Sequence, residues 1–127
     1  MQKIPGRKSI GDAAEQAACR YLQLRGLRVL CRNFRSGMGE IDLVMRDACT
    51  TVFVEVRLRQ SRAFGGGAAS VTAAKQRRLA RAAAHYLQRE KSNDACRFDV
   101  VEVRVDHRDA FEINWIRGAF ATPDDAF

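Results

Sequence analysis

Thr51-Val52-Phe53-Val54-Glu55-Val56-Arg57-Leu58-Arg59 is the stretch on which the fold turns. Strand side chains alternate between faces with period two. The even positions read Val, Val, Val, Leu, and the odd ones read Thr51, Phe53, Glu55, Arg57 and Arg59. One face is wholly apolar, and Glu55 and Arg57 share the other.

Working upstream, Glu40 to Arg46 predicts a second strand, in which Ile41, Leu43 and Met45 alternate with Glu40, Asp42 and Val44. The Asp47-Ala48-Cys49-Thr50 connection is short enough for a hairpin. With the apolar faces together, Asp42 comes to the same side as Glu55. A strand over Leu27 to Arg35 precedes it, ending before the Ser36-Gly37-Met38-Gly39 turn. A helix over Gly11 to Arg25 comes first, with Ala14, Ala18, Tyr21 and Leu22 at helical spacing and Gly26 as its stop.

Downstream, a Gly-rich loop leads to a helix over Thr72 to Gln88, with Ser70 or Thr72 as N-cap. Arg97 to Val105 and Phe111 to Ile116 read as the last strands. The order is αβββαββ. A strand-helix-strand unit requires a parallel, right-handed crossover, and the preceding hairpin makes the sheet mixed. An α/β fold follows, with one domain over 11–120, a mobile basic arm over 1–10 and a tail over 121–127. A length of 127 residues suits one domain, since single cores run roughly 100–200 residues.

Asp42 and Glu55 converging beside a cation is what metal-assisted phosphodiester hydrolysis needs. Mg²⁺ or Mn²⁺ takes oxygen ligands and keeps waters for the nucleophile and the phosphate. A salt-bridge ladder between strands would look the same in sequence. Glu15 lies at the border of the first helix's apolar stripe, where a carboxylate is costly unless it is paired or coordinating. A snorkelling Glu, or one bridged to an Arg, is the plain alternative. Lys75 falls inside the stripe of Val71, Leu79, Ala82, Ala83, Tyr86 and Leu87. It either snorkels out of the first turn or brings its ammonium to the acids. Arg77, Arg78 and Arg81 on the other helical faces, with Arg57, Arg59 and Arg62, could track phosphates. The Phe64-Gly65-Gly66-Gly67 loop reads as a connector. Trp115 and Phe120 read as core lids rather than base-stacking platforms.

Composition narrows the partners. Lys plus Arg outnumber Asp plus Glu by 22 to 15, for a formal net charge of +7, which favours polyanions. Of the 22 cations 18 are Arg, so each Lys invites a reason. Cys19, Cys31, Cys49 and Cys96 form no C-x-x-C pair and sit at no useful spacing from His85 or His107, which argues against zinc. No signal-like apolar region opens the chain, and no run approaches the ~18 apolar residues a membrane span needs. A cytoplasmic protein with reduced thiols is expected.

These residues together are similar to the YraN-like family of uncharacterised bacterial proteins, distant relatives of archaeal Holliday-junction resolvases. The likeness runs from Gly11 to Phe120. It rests on Gly11 and Glu15, Arg32-Asn33-Phe34-Arg35, Gly39-Glu40-Ile41-Asp42-Leu43, Phe53-Val54-Glu55-Val56-Arg57 with Arg59, Phe64-Gly65, Lys75, Arg97-Phe98-Asp99-Val100 and Trp115-Ile116. The resemblance implies a restriction-endonuclease-like core of the PD-(D/E)xK type, with metal on Glu15, Asp42 and Glu55. The family's motif Lys falls at residue 57, where this chain has Arg57. A guanidinium stays protonated, so proton transfer is lost at that position while charge stabilisation survives. Lys75 is the candidate to restore an ammonium. The catalytic set is then Glu15, Asp42, Glu55, Arg57 and Lys75, with Arg35, Arg59, Arg62, Arg77, Arg78 and Arg81 for nucleic acid.

Three functions fit: a Mg²⁺- or Mn²⁺-dependent DNA endonuclease, with branched or flapped DNA as candidate substrate; a nucleic-acid-binding module with little or no cleavage; and a protein-interaction scaffold. Resolving a junction calls for two active sites, hence a homodimer.

Overall fold

A computed structural model describes residues 7–59 and 71–122. The elements are α1 (Arg7–Gln23), β1 (Arg28–Ser36), β2 (Gly39–Asp47), β3 (Thr50–Arg59), α2 (Ala73–Arg89), β4 (Cys96–Val105) and β5 (Phe111–Phe120). The expected αβββαββ order and the mixed sheet are borne out. The strands lie in the order β1-β2-β3-β4-β5. Only β3 and β4 run parallel, and α2 makes the crossover between them. No described helix is long and apolar enough to cross a membrane.

The sheet is buried on both faces. Ala14, Ala18, Cys19 and Leu22 of α1 cover Leu43, Met45, Val52, Val54, Val101 and Val103. Leu79, Ala80, Ala82, Ala83 and Tyr86 of α2 cover Ile41, Val44, Phe53, Phe98 and Val100. Three alanines bring α2 close to the sheet, while Tyr86 meets Phe34 and Phe53 edge-on at ring-centre distances of 5.3 and 5.9 Å. Each large side chain buried this way contributes about 2 kcal/mol. The odd face of β3, read from sequence as its polar side, is thus a second core as far as Phe53. It turns polar only at Glu55, where the first turn of α2 begins.

Three boundaries differ from the sequence reading. α1 starts at Arg7 rather than Gly11, because Gly11 sits within the helix, with nothing within 4 Å of where a methyl would be. Thr72 caps α2, accepting the Lys75 backbone N–H at 3.2 Å, while Ser70 lies outside the described residues. β5 continues past Ile116 to Phe120 through a bulge opposite Phe98 to Val100. Gly118 takes that bulge at φ +56° and donates its N–H to Asp99 at 2.9 Å. Asp99 also accepts from Trp115 Nε1 at 2.9 Å and from Arg97 Nε at 3.0 Å, so one buried carboxylate stitches β4 to β5. Trp115 and Phe120 pack on the two cores as lids, with Phe120 stacked on Phe98.

The turn before β2 touches α2 closely. A methyl on Gly39 would stand 3.1 Å from the Arg78 carbonyl oxygen, so any side chain there would press the turn and the helix apart by a few tenths of an ångström.

Candidate metal and nucleic-acid site

Asp42 sits where the sheet comes apart. The β2–β3 register runs as far as Leu43↔Val54, and one further step would set Asp42 opposite Glu55. In place of the ladder, Asp42 Oδ2 accepts the Val56 backbone N–H at 2.8 Å. On its other side the β1–β2 register passes from Arg32↔Leu43 to Phe34↔Ile41, and the intervening Asn33 takes a left-handed φ of +51°. Asn tolerates that conformation better than most residues.

Glu55 follows two residues after Phe53 on the α2 side of β3 and is 7% exposed. Lys75 Nζ lies 2.7 Å from its Oε1. Of the two readings the sequence left open for Lys75, the structure shows the one that brings the ammonium to the acids. The Thr72 cap holds the turn that carries it. From the opposite layer, the half-buried Glu15 of α1 lines a cleft with Asp42 and raises its pKa.

The electrostatics follow from this crowding. Burial, opposed by the Val56 hydrogen bond and reinforced by the Glu15 carboxyl, pushes Asp42 up to about 7. Glu55 is also raised, by burial and by the charge of Asp42, against the pull of Lys75 and Arg57. Negative charge is therefore under-compensated even with one ammonium present. The acids form two overlapping pairs, Glu15 with Asp42 and Asp42 with Glu55. Among the described residues no three His, Cys, Asp or Glu side chains close into a metal cage.

Two clefts open at Asp42. One of about 270 Å³ is lined by Asp12, Glu15, Gln16, Arg32, Asn33 and Asp42. The other, about 210 Å³, is lined by Glu40, Asp42, Glu55, Lys75 and Arg78. The donor set suits a hard divalent ion: carboxylate oxygens, an excess of negative charge and an ammonium already standing in for a cation.

The basic residues separate into groups. Arg57 lies across from Glu102 in the β3–β4 register and lowers the Glu55 pKa through its charge. Arg59 Nε stands 3.8 Å from Glu102 Oε2. Arg78 lines the Lys75 cleft, whereas Arg35, Arg77 and Arg81 line neither; Arg35 pairs loosely with Glu40 at 3.8 Å. Arg62 and the Phe64-Gly65-Gly66-Gly67 loop lie outside the described residues. Sequence reasoning missed a role for Arg32, Asn33 and Glu102. The Asn33 step has no local signature beyond the residue type. Glu102 had one: an acid flanked by Val100, Val101 and Val103 in an otherwise apolar strand.

A sequence profile of the family described as "Uncharacterised protein family UPF0102" matches residues 14–103. The chain is 54% identical over 121 residues to a UPF0102 protein of Ralstonia nicotianae, covering 91% of this chain and 89% of that one. It is 52% identical over 113 residues to one of Herminiimonas arsenicoxydans, covering 89% and 87%. A third, from Nitrosomonas europaea, is 52% identical over 110 residues, covering 87% and 92%.

Proposed function

The chain belongs to the UPF0102 family, the YraN-like proteins it resembles in sequence, and from its carboxylate geometry we propose that it is a divalent-metal-dependent endonuclease acting on DNA. The observation that carries this reading is the meeting of Asp42, Glu55 and Lys75 at the point where β2 and β3 separate. Asp42 and Glu55 would hold Mg²⁺ or Mn²⁺, and the neighbouring Glu15 carboxyl would tune Asp42. The ion, when bound, supplies a Lewis acid for a phosphoryl oxygen and a water of lowered pKa.

The chain's own groups do the rest. The Val56 N–H fixes one Asp42 oxygen and so orients the carboxylate at the edge of both clefts. The Lys75 ammonium and the Arg78 guanidinium face the cleft through which a phosphodiester would approach, and stabilise charge building on it. Arg57 adds positive potential beside Glu55 without exchanging a proton. Arg59, Arg77 and Arg81 extend the basic surface along β3 and α2, suited to a phosphate backbone.

One observation favours a second reading, a nucleic-acid-binding module without cleavage: Arg57 stands at the position of the motif lysine. Linear, flapped and four-way-junction DNA incubated with Mn²⁺, Mg²⁺ or EDTA separates the two. The nuclease reading expects metal-dependent cutting that falls by about a thousandfold or more in Asp42→Asn and Glu55→Gln. Salt-sensitive binding with no cutting in any metal would leave the binding module standing.

A further inference from the structure

Lys75 raises a question that the nuclease reading leaves open. Its Nζ makes a 2.7 Å ion pair with Glu55 Oε1, so a cation already sits on the carboxylate that a divalent ion would seek. A short charge-assisted bond of this kind is among the strong hydrogen bonds of proteins. The Glu55 side chain is 8% exposed, whereas that of Lys75 is 32% exposed. The carboxylate is fixed, and the ammonium has solvent to retreat into. The charge of Lys75 also reaches Asp42, where it is the weakest of the influences and leaves the carboxyl raised. Arg57 acts on Glu55 through charge alone, leaving Lys75 as the ion-paired cation at that carboxylate among the described residues.

An ammonium 2.7 Å from Glu55 Oε1 and a divalent cation on the same buried carboxylate would be like charges a few ångströms apart, and they repel strongly in so dry a place. We propose that Lys75 is the resident counter-cation of the site, that a divalent ion takes Glu55 only by displacing it, and that the displaced ammonium is left in the Arg78-lined cleft, facing the incoming phosphodiester. The inference rests on the metal reading above and goes beyond it. Lys75 opposes metal binding and assists the chemical step, so its removal moves the two in opposite directions.

The test is Mn²⁺ binding to the metal-free protein, followed by electron paramagnetic resonance, with cleavage measured alongside. Lys75→Met is expected to bind Mn²⁺ about tenfold more tightly than the wild type or better, while cutting at least tenfold more slowly. Arg78→Met, which removes a cation of the same cleft without touching Glu55, is expected to stay within about threefold in Mn²⁺ affinity. If the wild type binds Mn²⁺ and Asp42→Asn does not, yet Lys75→Met binds no more tightly, the exchange is wrong and the metal reading stands. No Mn²⁺ binding by either wild type or Lys75→Met overturns both. Should Lys75→Met fail to fold, the wild type carries the test through its Lys75 ¹⁵Nζ resonance, identified by its loss in Lys75→Arg. Saturating Mg²⁺ is expected to shift or broaden that resonance, and a resonance unmoved by Mg²⁺ refutes the displacement.

Discussion

Asp99 and Asp42 are both aspartates on strands of one sheet, and they live in opposite conditions. Asp99 is fully buried and draws hydrogen bonds from Arg97, Trp115 and the Gly118 N–H. Asp42 receives one backbone hydrogen bond, faces two other carboxylates and is pushed up to about 7. Burial alone does not separate the two. What separates them is whether the surroundings complete the charge. A completed carboxylate holds strands together, and an incomplete one carries charge that the residues around it do not balance.

The strongest way to break this contrast is to remove the charge at Asp99. Asp99→Asn leaves Arg97 without its buried partner and turns an amide toward donors, which costs on the order of 3–5 kcal/mol. Calorimetry should show a fall in Tm of about 10 °C or more. A fall of only a degree or two would mean that the Asp99 network is ornamental.

The same change at Asp42 is expected to act in the opposite direction. A carboxyl raised in the folded state favours its protonated form there, so its contribution is fully present below the unfolded value near 3.8 and is lost as pH rises through about 7. In EDTA the wild type should therefore become less stable between pH 5 and pH 8. Asp42→Asn keeps an oxygen for the Val56 N–H and removes the penalised charge. It should flatten that decline and exceed the wild type at pH 8 by on the order of 2–4 kcal/mol. A variant less stable than the wild type at pH 8 would show that Asp42 is structural after all.

Glu102 lies between these cases and sharpens them. Its Oε1 accepts from Asn114 at 3.0 Å, while its buried Oε2 has no hydrogen-bond partner among the described residues and the Arg59 Nε only at 3.8 Å. Glu102→Gln keeps the shape and the Asn114 bond, so stability should stay within about 1 kcal/mol of the wild type in chemical denaturation. A loss of several kcal/mol would place Glu102 with Asp99.

How much of this was legible beforehand depends on the range of the forces involved. The period-two pattern of Thr51 to Arg59 was enough to place Glu55, because strand alternation is local, whereas the alternation expected of Ile41, Leu43 and Met45 breaks at Asp42: Ile41 packs under α2, and Leu43 and Met45 pack under α1. Lys75 stood out as an ammonium on the apolar stripe of a helix. The bulge at Gly118 was not legible, since its cause is Asp99 on another strand; read alone, Arg117-Gly118 looks like a strand ending. Nor could the alternation in β3 show that Phe53 faces a second helix while Glu55, on the same side, falls beyond it. That depends on where α2 starts, and Thr72 reveals it only once the packing is known.

The missing methyl at Gly39 carries a further consequence. The turn that begins the Asp42 strand and the helix that carries Lys75 touch backbone to backbone there, so the gap between them works as a fixed gauge for the width of the cleft. A single added carbon would press on that gauge by a few tenths of an ångström without altering a single charged group. One wall of the Lys75 cleft is thus spaced by a residue that has no chemistry of its own.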